Sequence, residues 1–468
     1  MRTSLAVVVL LLAGSAWAQE SPLHAELRRE SERVSDACRS LKSIGSCSYT
    51  LFTDHPLHIA AGSMPPENGF GIGGAFVWSK NTKNWRLSWD VDSVGAFNGS
   101  WRAGGYMKMV HNPHSAINPI KVTIPGEGGD NSKKPAKSPS FTHPYTVFNI
   151  YAQTISLNNL NYFGVGNDTI PADRSIFGMS ETIVGANVIK PVFELSAIRW
   201  LNLALLGEAN GRFVSIRGEH GHSVPSIEML YDNATAPGLS TQPAFAQFGQ
   251  GIRIKPAIGN LQLNYLGKLQ EFVASNSIYS FLRWTVDLDH TYWLYGKSVS
   301  GTSETLGPDS CAPRGELCPP VSRTRNLNGS INVHLLLSES ITSGASVVPF
   351  YFQQTLGGKD LDGMLSLGSY DNYRFRAPNL LLLQEGIEHS VWGPFGLKFM
   401  AEQGRVASTR SDIGFGDLKR SFAAGITLRA GAFPMVSLMF AWGGSEGRHT
   451  LFNMNTSLLG SSSRPPLD

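Results

Sequence analysis

The sequence predicts an all-β protein: a transmembrane antiparallel β-barrel of about sixteen strands, led by a short N-terminal periplasmic helix. Three observations predict it. Charged residues make up only 16% of the chain, against roughly 25% in ordinary soluble domains. After the first residues there is no long apolar run, so a helical membrane protein is excluded. From Gly69 onward, apolar and polar residues alternate with period two, in many short segments. A barrel strand shows lipid a side chain only at every second position, which reconciles low charge, 49 glycines and many aromatics with the missing apolar 20-mer. The formal charge of +3 is too small to indicate nucleic acid.

The first element is an export signal. Met1-Arg2, the apolar run Leu5 to Leu12 and the small residues around Ala16-Trp17-Ala18 describe a secretory signal peptide over 1–18, cut after Ala18. The run is too short to span about 30 Å of hydrocarbon. Residues 19–68 read as a helix and linker. Leu23, Leu27, Val34 and Leu41 recur at helical spacing over 21–44, and Gly45 is a plausible stop. Such a helix could pack on its own barrel, plug it, or bind a periplasmic protein partner. Four cysteines fall as two local pairs, Cys38/Cys47 and Cys311/Cys318, each a disulfide candidate in an exported protein.

The barrel is expected over 69–459, with 460–468 as a tail. Phe70, Ile72, Phe76 and Trp78 share one face against Gly71, Gly73 and Ala75. Trp85, Leu87, Trp89 and Val91 oppose Arg86, Ser88, Asp90 and Asp92. Later segments repeat the pattern: Leu261, Leu263 and Tyr265 against Gln262 and Asn264, and Phe422, Ala424 and Ile426 against Ser421, Gly425 and Thr427. Strands are expected near 69–80, 85–95, 97–110, 144–156, 176–188, 198–214, 242–255, 259–272, 277–296, 323–337, 342–355, 377–389, 395–406, 419–430, 433–443 and 448–459. Alternation alone also fits a soluble sandwich with one wet face. Trp and Tyr near strand ends and charges on the other face favour lipid outside and a polar lumen inside. This strand list puts 157–175 and 215–241 on the periplasmic rim, where barrels prefer short turns.

One long connection stands out, Leu356 to Pro378. It opens on Gly357-Gly358, which permit a sharp reversal, carries Asp360, Asp362 and Asp371, and ends Tyr373-Arg374-Phe375-Arg376. A loop of this length inside a compact domain is usually functional. It is read here as a segment folded back into the lumen, its arginines seeking buried acids. Parity places Gln384, Glu388, Lys398 and Glu402 on the luminal face. Arg374 and Arg376 are therefore expected to pair with Glu388 and Glu402, either as a structural tether or as a movable gate.

Leu-Gly-Gly, an aromatic at Tyr370, an ending like Phe-Arg-Phe-Arg, a leucine run and then Trp392-Gly393-Pro394-Phe395-Gly396 resemble the loop 6 region of the Omp85 superfamily, the bacterial surface antigen D15 type of barrel. Tyr162-Phe163-Gly164-Val165-Gly166-Asn167-Asp168 resembles the aromatic-Gly-x-Gly-Asn signature of the same barrels. The similarity covers most of Gly69 to Leu459. It implies a bacterial outer-membrane protein, in contact with outer-membrane lipid and acting in insertion or translocation of proteins or lipids. It also implies that Glu402, before Gly404, is the acid that receives the loop. Where the family's loop centres on an Arg-Gly pair, this chain has Gly368-Ser369 before Tyr370. The stretch before the first strand is too short for the POTRA domains of large members. A porin-like channel for small solutes, plugged or open, is the alternative.

No enzyme is indicated. Gly443-Gly444-Ser445-Glu446-Gly447 fits the string of serine hydrolases, but in a strand–strand hairpin rather than the strand–elbow–helix the chemistry needs. His220-Gly221-His222 and His111-Asn112-Pro113-His114 lack further ligands at metal spacing. No cofactor motif is present: Gly69–Gly74 has no helix after it to receive a dinucleotide.

Overall fold

The computed structural model describes residues 56–111, 145–192, 201–303, 321–392, 395–430, 433–444 and 446–454. The signal peptide, helix 21–44 and the tail 460–468 lie outside the described residues. The two expected disulfides gain no support. Cys38, Cys47, Cys311 and Cys318 all lie outside the described residues, and no cysteine pair is found among the described ones.

The strands in chain order are β1 (Leu57–Ser63), β2 (Phe70–Asn81), β3 (Trp85–Ala96), β4 (Trp101–His111), β5 (Val147–Tyr162), β6 (Ser175–Pro191), β7 (Ala204–Gly218), β8 (Phe245–Ile254), β9 (Ala257–Ile258), β10 (Leu261–Ala274), β11 (Phe281–Ser303), β12 (Val321–Ile341), β13 (Gln354–Leu356), β14 (Phe375–Ala377), β15 (Asn379–Trp392), β16 (Phe395–Ala407), β17 (Lys419–Ala430), β18 (Phe433–Trp442) and β19 (His449–Met454). All but β9, β13 and β14 form one sixteen-strand antiparallel meander, each strand bonded to the next. The short β9 prolongs β8 along β10. The described residues carry no backbone ladder between β1 and β19, so the sheet is not closed there. Among the described residues no helix is long and apolar enough to cross a membrane, which says nothing about strands.

The two faces separate as alternation requires. On β15 and β16, Ile387, Leu397 and Phe399 are 48%, 52% and 43% exposed, whereas Gln384 and Glu402 are 8% and 1% exposed. The same rule exposes Ile72 and Val91 near one end of the sheet, Val184, Phe213 and Phe248 in its middle, and Leu438, Phe440 and Phe452 at the other end. The opposite face is a polar lattice. Arg102 pairs with Asp92 at 2.7 Å and Arg212 with Glu181 at 3.1 Å, and Asn149 donates to Asn187 at 2.7 Å. An exposed apolar face over most of a sixteen-strand sheet is the surface a bilayer covers, far beyond the patches soluble monomers tolerate.

The expected strand list is corrected in two places, one strand gained and one lost. The wall begins earlier than Gly69, at β1, whose Ala60 and Ala61 are both buried and so break the alternation. The stretch 342–355 is not a wall strand. It turns inward through the 3-10 turn Phe350–Phe352, whose three aromatic rings are all buried. Its apolar residues face the interior on every side, which in sequence looks like a core strand. The two corrections cancel in the strand count but move hairpins between rims. The connections 163–174, 219–244 and 342–378 all leave from one rim, because an even number of wall strands separates them. Gly166 N–H donates to Arg376 O, Phe350 N–H to Pro237 O, and Tyr162 Oη–H to Thr235 O, at 2.7, 2.8 and 2.6 Å. The expectation that 157–175 and 215–241 lie opposite the Leu356–Pro378 loop is thus overturned. Together these connections build an apolar cluster around Tyr162, Phe177, Ile227, Phe350 and Tyr373 that caps the rim.

Candidate functional site: an inward tongue anchored by buried arginines

Residues 354–377 form a two-legged tongue. Its legs are β13 and β14, paired from Gln354↔Ala377 to Leu356↔Phe375. Gly357 and Gly358 turn the chain at φ of 104° and 61°, a region costly to residues with a Cβ. Space demands glycine as well. A Cβ on Gly357 would lie 2.6 Å from Asp371 O, and one on Gly358 would lie 2.8 Å from Asn372 Cα. The returning leg holds Tyr373 at φ 62°, a strained value for a bulky residue, fixed by its N–H donating to Gly357 O at 2.9 Å.

Arg374 has no exposed surface. Its Nε and Nη2 donate to Glu446 Oε2 and Oε1 at 2.5 and 2.7 Å, a two-pronged match of guanidinium to carboxylate. Nη1 and Nη2 also reach Thr169 Oγ1 and Thr169 O at 2.6 and 2.5 Å. Phe163 and Phe375 place their rings 4.8 and 4.7 Å from the guanidinium carbon. Arg376 is also buried. Its Nη1 donates to Phe350 O at 2.7 Å, and the rings of Tyr162 and Phe350 flank it. Among the described residues no carboxylate pairs with it, and burial pulls its guanidinium down to about 10 against the favourable pull of Tyr162 and Tyr373.

The expected acceptors are therefore corrected. Neither Glu388 nor Glu402 meets an arginine of the tongue. Glu388 lies on β15 opposite Lys398 and accepts a long 3.5 Å contact from Thr427 Oγ1. Glu402 does receive the tongue, at its tip. Gly368 N–H donates to Glu402 Oε2 at 2.8 Å, while Gln384 Nε2 donates to Oε1 at 2.7 Å. Next to it, Ser369 N–H donates to Ser421 Oγ at 3.0 Å. A backbone amide thus meets the acid at the position where the family resemblance would put an arginine. Tyr370 is buried, edge-on to Phe375 at 5.1 Å, with its hydroxyl against Gly444.

Thr169, Phe163 and Glu446 are the anchor residues that sequence reasoning missed as such. Phe163 and Thr169 belong to or follow the aromatic-Gly-x-Gly-Asn motif. Gly164 and Gly166 there take φ of 93° and 117°, and Gly166 N–H is the group bonded to Arg376 O. The motif is a cradle for the tongue's arginines. Glu446 belongs to the glycine string that resembles a hydrolase elbow. Its use is to carry a carboxylate inward from the last hairpin.

The tongue reaches both ends of the sheet. Asn372 Nδ2 donates to Glu67 Oε1, between β1 and β2, at 2.7 Å. Lys359 Nζ donates to Phe452 O of β19 at 3.2 Å, and Asp371 lies 3.7 Å from His449 of the same strand. Around the turn, burial and the neighbouring Asp362 charge push the Asp360 carboxyl up to about 7. Burial raises the Tyr373 hydroxyl well above its ordinary value and lowers the Lys359 ammonium. Among the described residues no group of three or more His, Cys, Asp or Glu side chains could hold a metal ion.

No family model matches the chain, and no curated protein matches it. Among solved structures, CdiB from Acinetobacter baumannii is similar at a TM-score of 0.46 and 11% identity, over 85% of this chain and 58% of that one. BamA from Haemophilus ducreyi lacking POTRA domains 1–3 is similar at a TM-score of 0.45 and 11% identity, over 85% of this chain and 69% of that one. The chain thus spans less than two thirds of the CdiB chain it matches.

Proposed function

We propose that this protein is a bacterial outer-membrane barrel of the Omp85 kind that inserts or translocates proteins or lipids, with the tongue holding its two end strands in place. The observation that carries the reading is the tongue's double reach, to Glu67 beside β1 and to Phe452 and His449 on β19. A sheet whose ends are joined by side-chain contacts opens at less cost than one closed by a full ladder of backbone bonds. Strand β2, glycine-rich at Gly71, Gly73 and Gly74, weakens the adjoining wall further. The reading assigns the protein no enzymatic step. Its partners are outer-membrane lipid and a periplasmic protein bound through 21–44.

Proteoliposomes test it. Wild-type protein is expected to speed the folding of a urea-denatured outer-membrane barrel client into the vesicle, and deletion of 359–372 is expected to alter that rate. No acceleration by wild type sinks the proposal. The polar inner face favours a second reading, a solute channel plugged by the tongue. In planar bilayers that reading expects low conductance in wild type and a large rise on deleting 359–372. A large steady conductance that the deletion leaves unchanged would instead indicate an open porin. Loss of a co-purifying protein on deletion of 21–44 would support the periplasmic partner.

A further inference from the structure

A chain of hydrogen bonds runs from the wall to the tip of the tongue. On β12, His334 places Nε2 at 2.8 Å from Asp287 Oδ1 of β11 and Nδ1 at 2.9 Å from Gln384 Oε1 of β15. Gln384 Nε2 donates to Glu402 Oε1 at 2.7 Å and to Leu365 O, in the tongue, at 2.8 Å. Gly368 N–H closes the chain on Glu402 Oε2. Leu365 O is a peptide carbonyl and can only accept, so the Gln384 group that faces it is the NH2. The Gln384 oxygen therefore faces His334. The ring lies between two acceptors, that oxygen and the Asp287 carboxylate, and must donate from both nitrogens. Only imidazolium does so. The His334 and Asp287 side chains are 17% and 29% exposed, so water reaches the pair and can exchange the proton.

Loss of one ring proton breaks this match. A bare Nδ1 would face the Gln384 oxygen, and a bare Nε2 would face the Asp287 carboxylate. Gln384 cannot turn to help while its NH2 serves Leu365 and Glu402. Once the tip withdraws, the amide is free to turn. A neutral ring can then donate from Nε2 to Asp287 and accept the amide NH2 at Nδ1. Imidazolium fits the docked tip, and neutral imidazole fits the withdrawn one. The other charged groups on these walls are Asp289 on β11, which accepts from Asn332 Nδ2 at 2.6 Å, Glu388 on β15, and Lys398 and Glu402 on β16. We propose that His334 is a proton-operated latch for the tongue tip, acting through the orientation of Gln384. Protonation and docking favour each other, so the latch holds at low pH and lets go as pH rises through the ring's titration. The latch concerns docking of the tongue and is tested apart from the insertion of clients.

The test uses the full chain in detergent micelles, with nitrogen-15 in its histidine rings, in the Asp360→Asn background because that carboxyl also titrates. The His334 ring signals are followed from about pH 5 to about pH 10, beside amide exchange corrected for intrinsic rates. Exchange at Gly368 and Ser369 is expected to quicken about tenfold or more, with the same midpoint as the ring. Tyr373, beside the Arg374 anchor, is the internal reference and should not follow. His334→Gln keeps hydrogen-bonding groups but cannot titrate, and should leave tip exchange independent of pH. A transition owed to Glu402 would persist in that variant. Asp287→Asn serves if His334→Gln does not fold: it should move the ring midpoint and the tip midpoint together. No ring titration in this range overturns the proposal. A tip indifferent to the ring's titration overturns it as well, as does a pH transition that survives in His334→Gln or parts from the ring's midpoint in Asp287→Asn.

Discussion

Removing the Glu446 carboxylate leaves the Arg374 guanidinium buried with its strongest partner gone. Arg374 has no exposed surface, and the Glu446 side chain is 14% exposed, so solvent screens the pair little. Stripping one member of a buried pair costs about 3–5 kcal/mol, mostly because the remaining charge is uncompensated. The Thr169 contacts and the rings of Phe163 and Phe375 survive in Glu446→Ala and return part of that, since each ring is worth about 0.5–2 kcal/mol. A net loss of about 3 kcal/mol from tongue docking is expected. At about 1.4 kcal/mol per decade, local opening becomes roughly a hundredfold more frequent. Hydrogen exchange reads it at the amides of Tyr373, bonded to Gly357 O, and Gly166, bonded to Arg376 O, while the β16–β17 ladder stays protected. The double variant Arg374→Met/Glu446→Leu should recover much of the loss. The anchor is refuted if Glu446→Ala leaves both amides within about threefold of wild type while Glu402→Ala opens them.

Three further outcomes follow from the same geometry. Gly358→Ala, at φ 61° with Asn372 Cα 2.8 Å from the new Cβ, should cost about 1–2 kcal/mol or more and make trypsin cut after Lys359 in the folded barrel. Asp360 has its carboxyl pushed up to about 7 when docked, above its ordinary 3.8. Its contribution is therefore complete below about pH 4 and is lost as pH rises through about 7. Tongue exchange, corrected for intrinsic rates, should be slower at pH 5 than at pH 8, and Asp360→Asn should flatten that difference. Leu397→Lys puts a charge on the outward face at a position 52% exposed. It should lower barrel stability in vesicles by about 2–4 kcal/mol at mid-depth, seen as a lower urea midpoint, with little change in detergent-free solubility.

Much of the wall was legible because alternation is a local signal. Parity placed Gln384 and Glu402 inward, as burial shows, and left Ile387 and Leu397 facing outward. The failures have physical reasons. In β1, Ala60 and Ala61 are both small and both buried, so no period appears. In 342–355, Val348, Phe350, Tyr351 and Phe352 are apolar because they plug the rim, and a plug in sequence looks like a buried strand. The tongue and its glycine pair were readable from length and composition. Its partners were not. Arg374 meets Glu446, 72 residues away, through the curvature of the sheet, and no spacing rule carries that information. At the tip, a backbone N–H of Gly368 meets Glu402, where the resemblance implied an arginine side chain.

The central claim is that alternate residues of each strand meet hydrocarbon while the tongue side stays polar. Nitroxide labels placed singly at positions 396–400 of β16, in a cysteine-free background reconstituted in lipid vesicles, test it most directly. Collision with oxygen, which concentrates in hydrocarbon, is expected to peak at 397 and 399 and fall at 398 and 400, with collision by a water-soluble nickel complex low at the peaks. A flat profile, or high nickel access at 397 and 399, would contradict it.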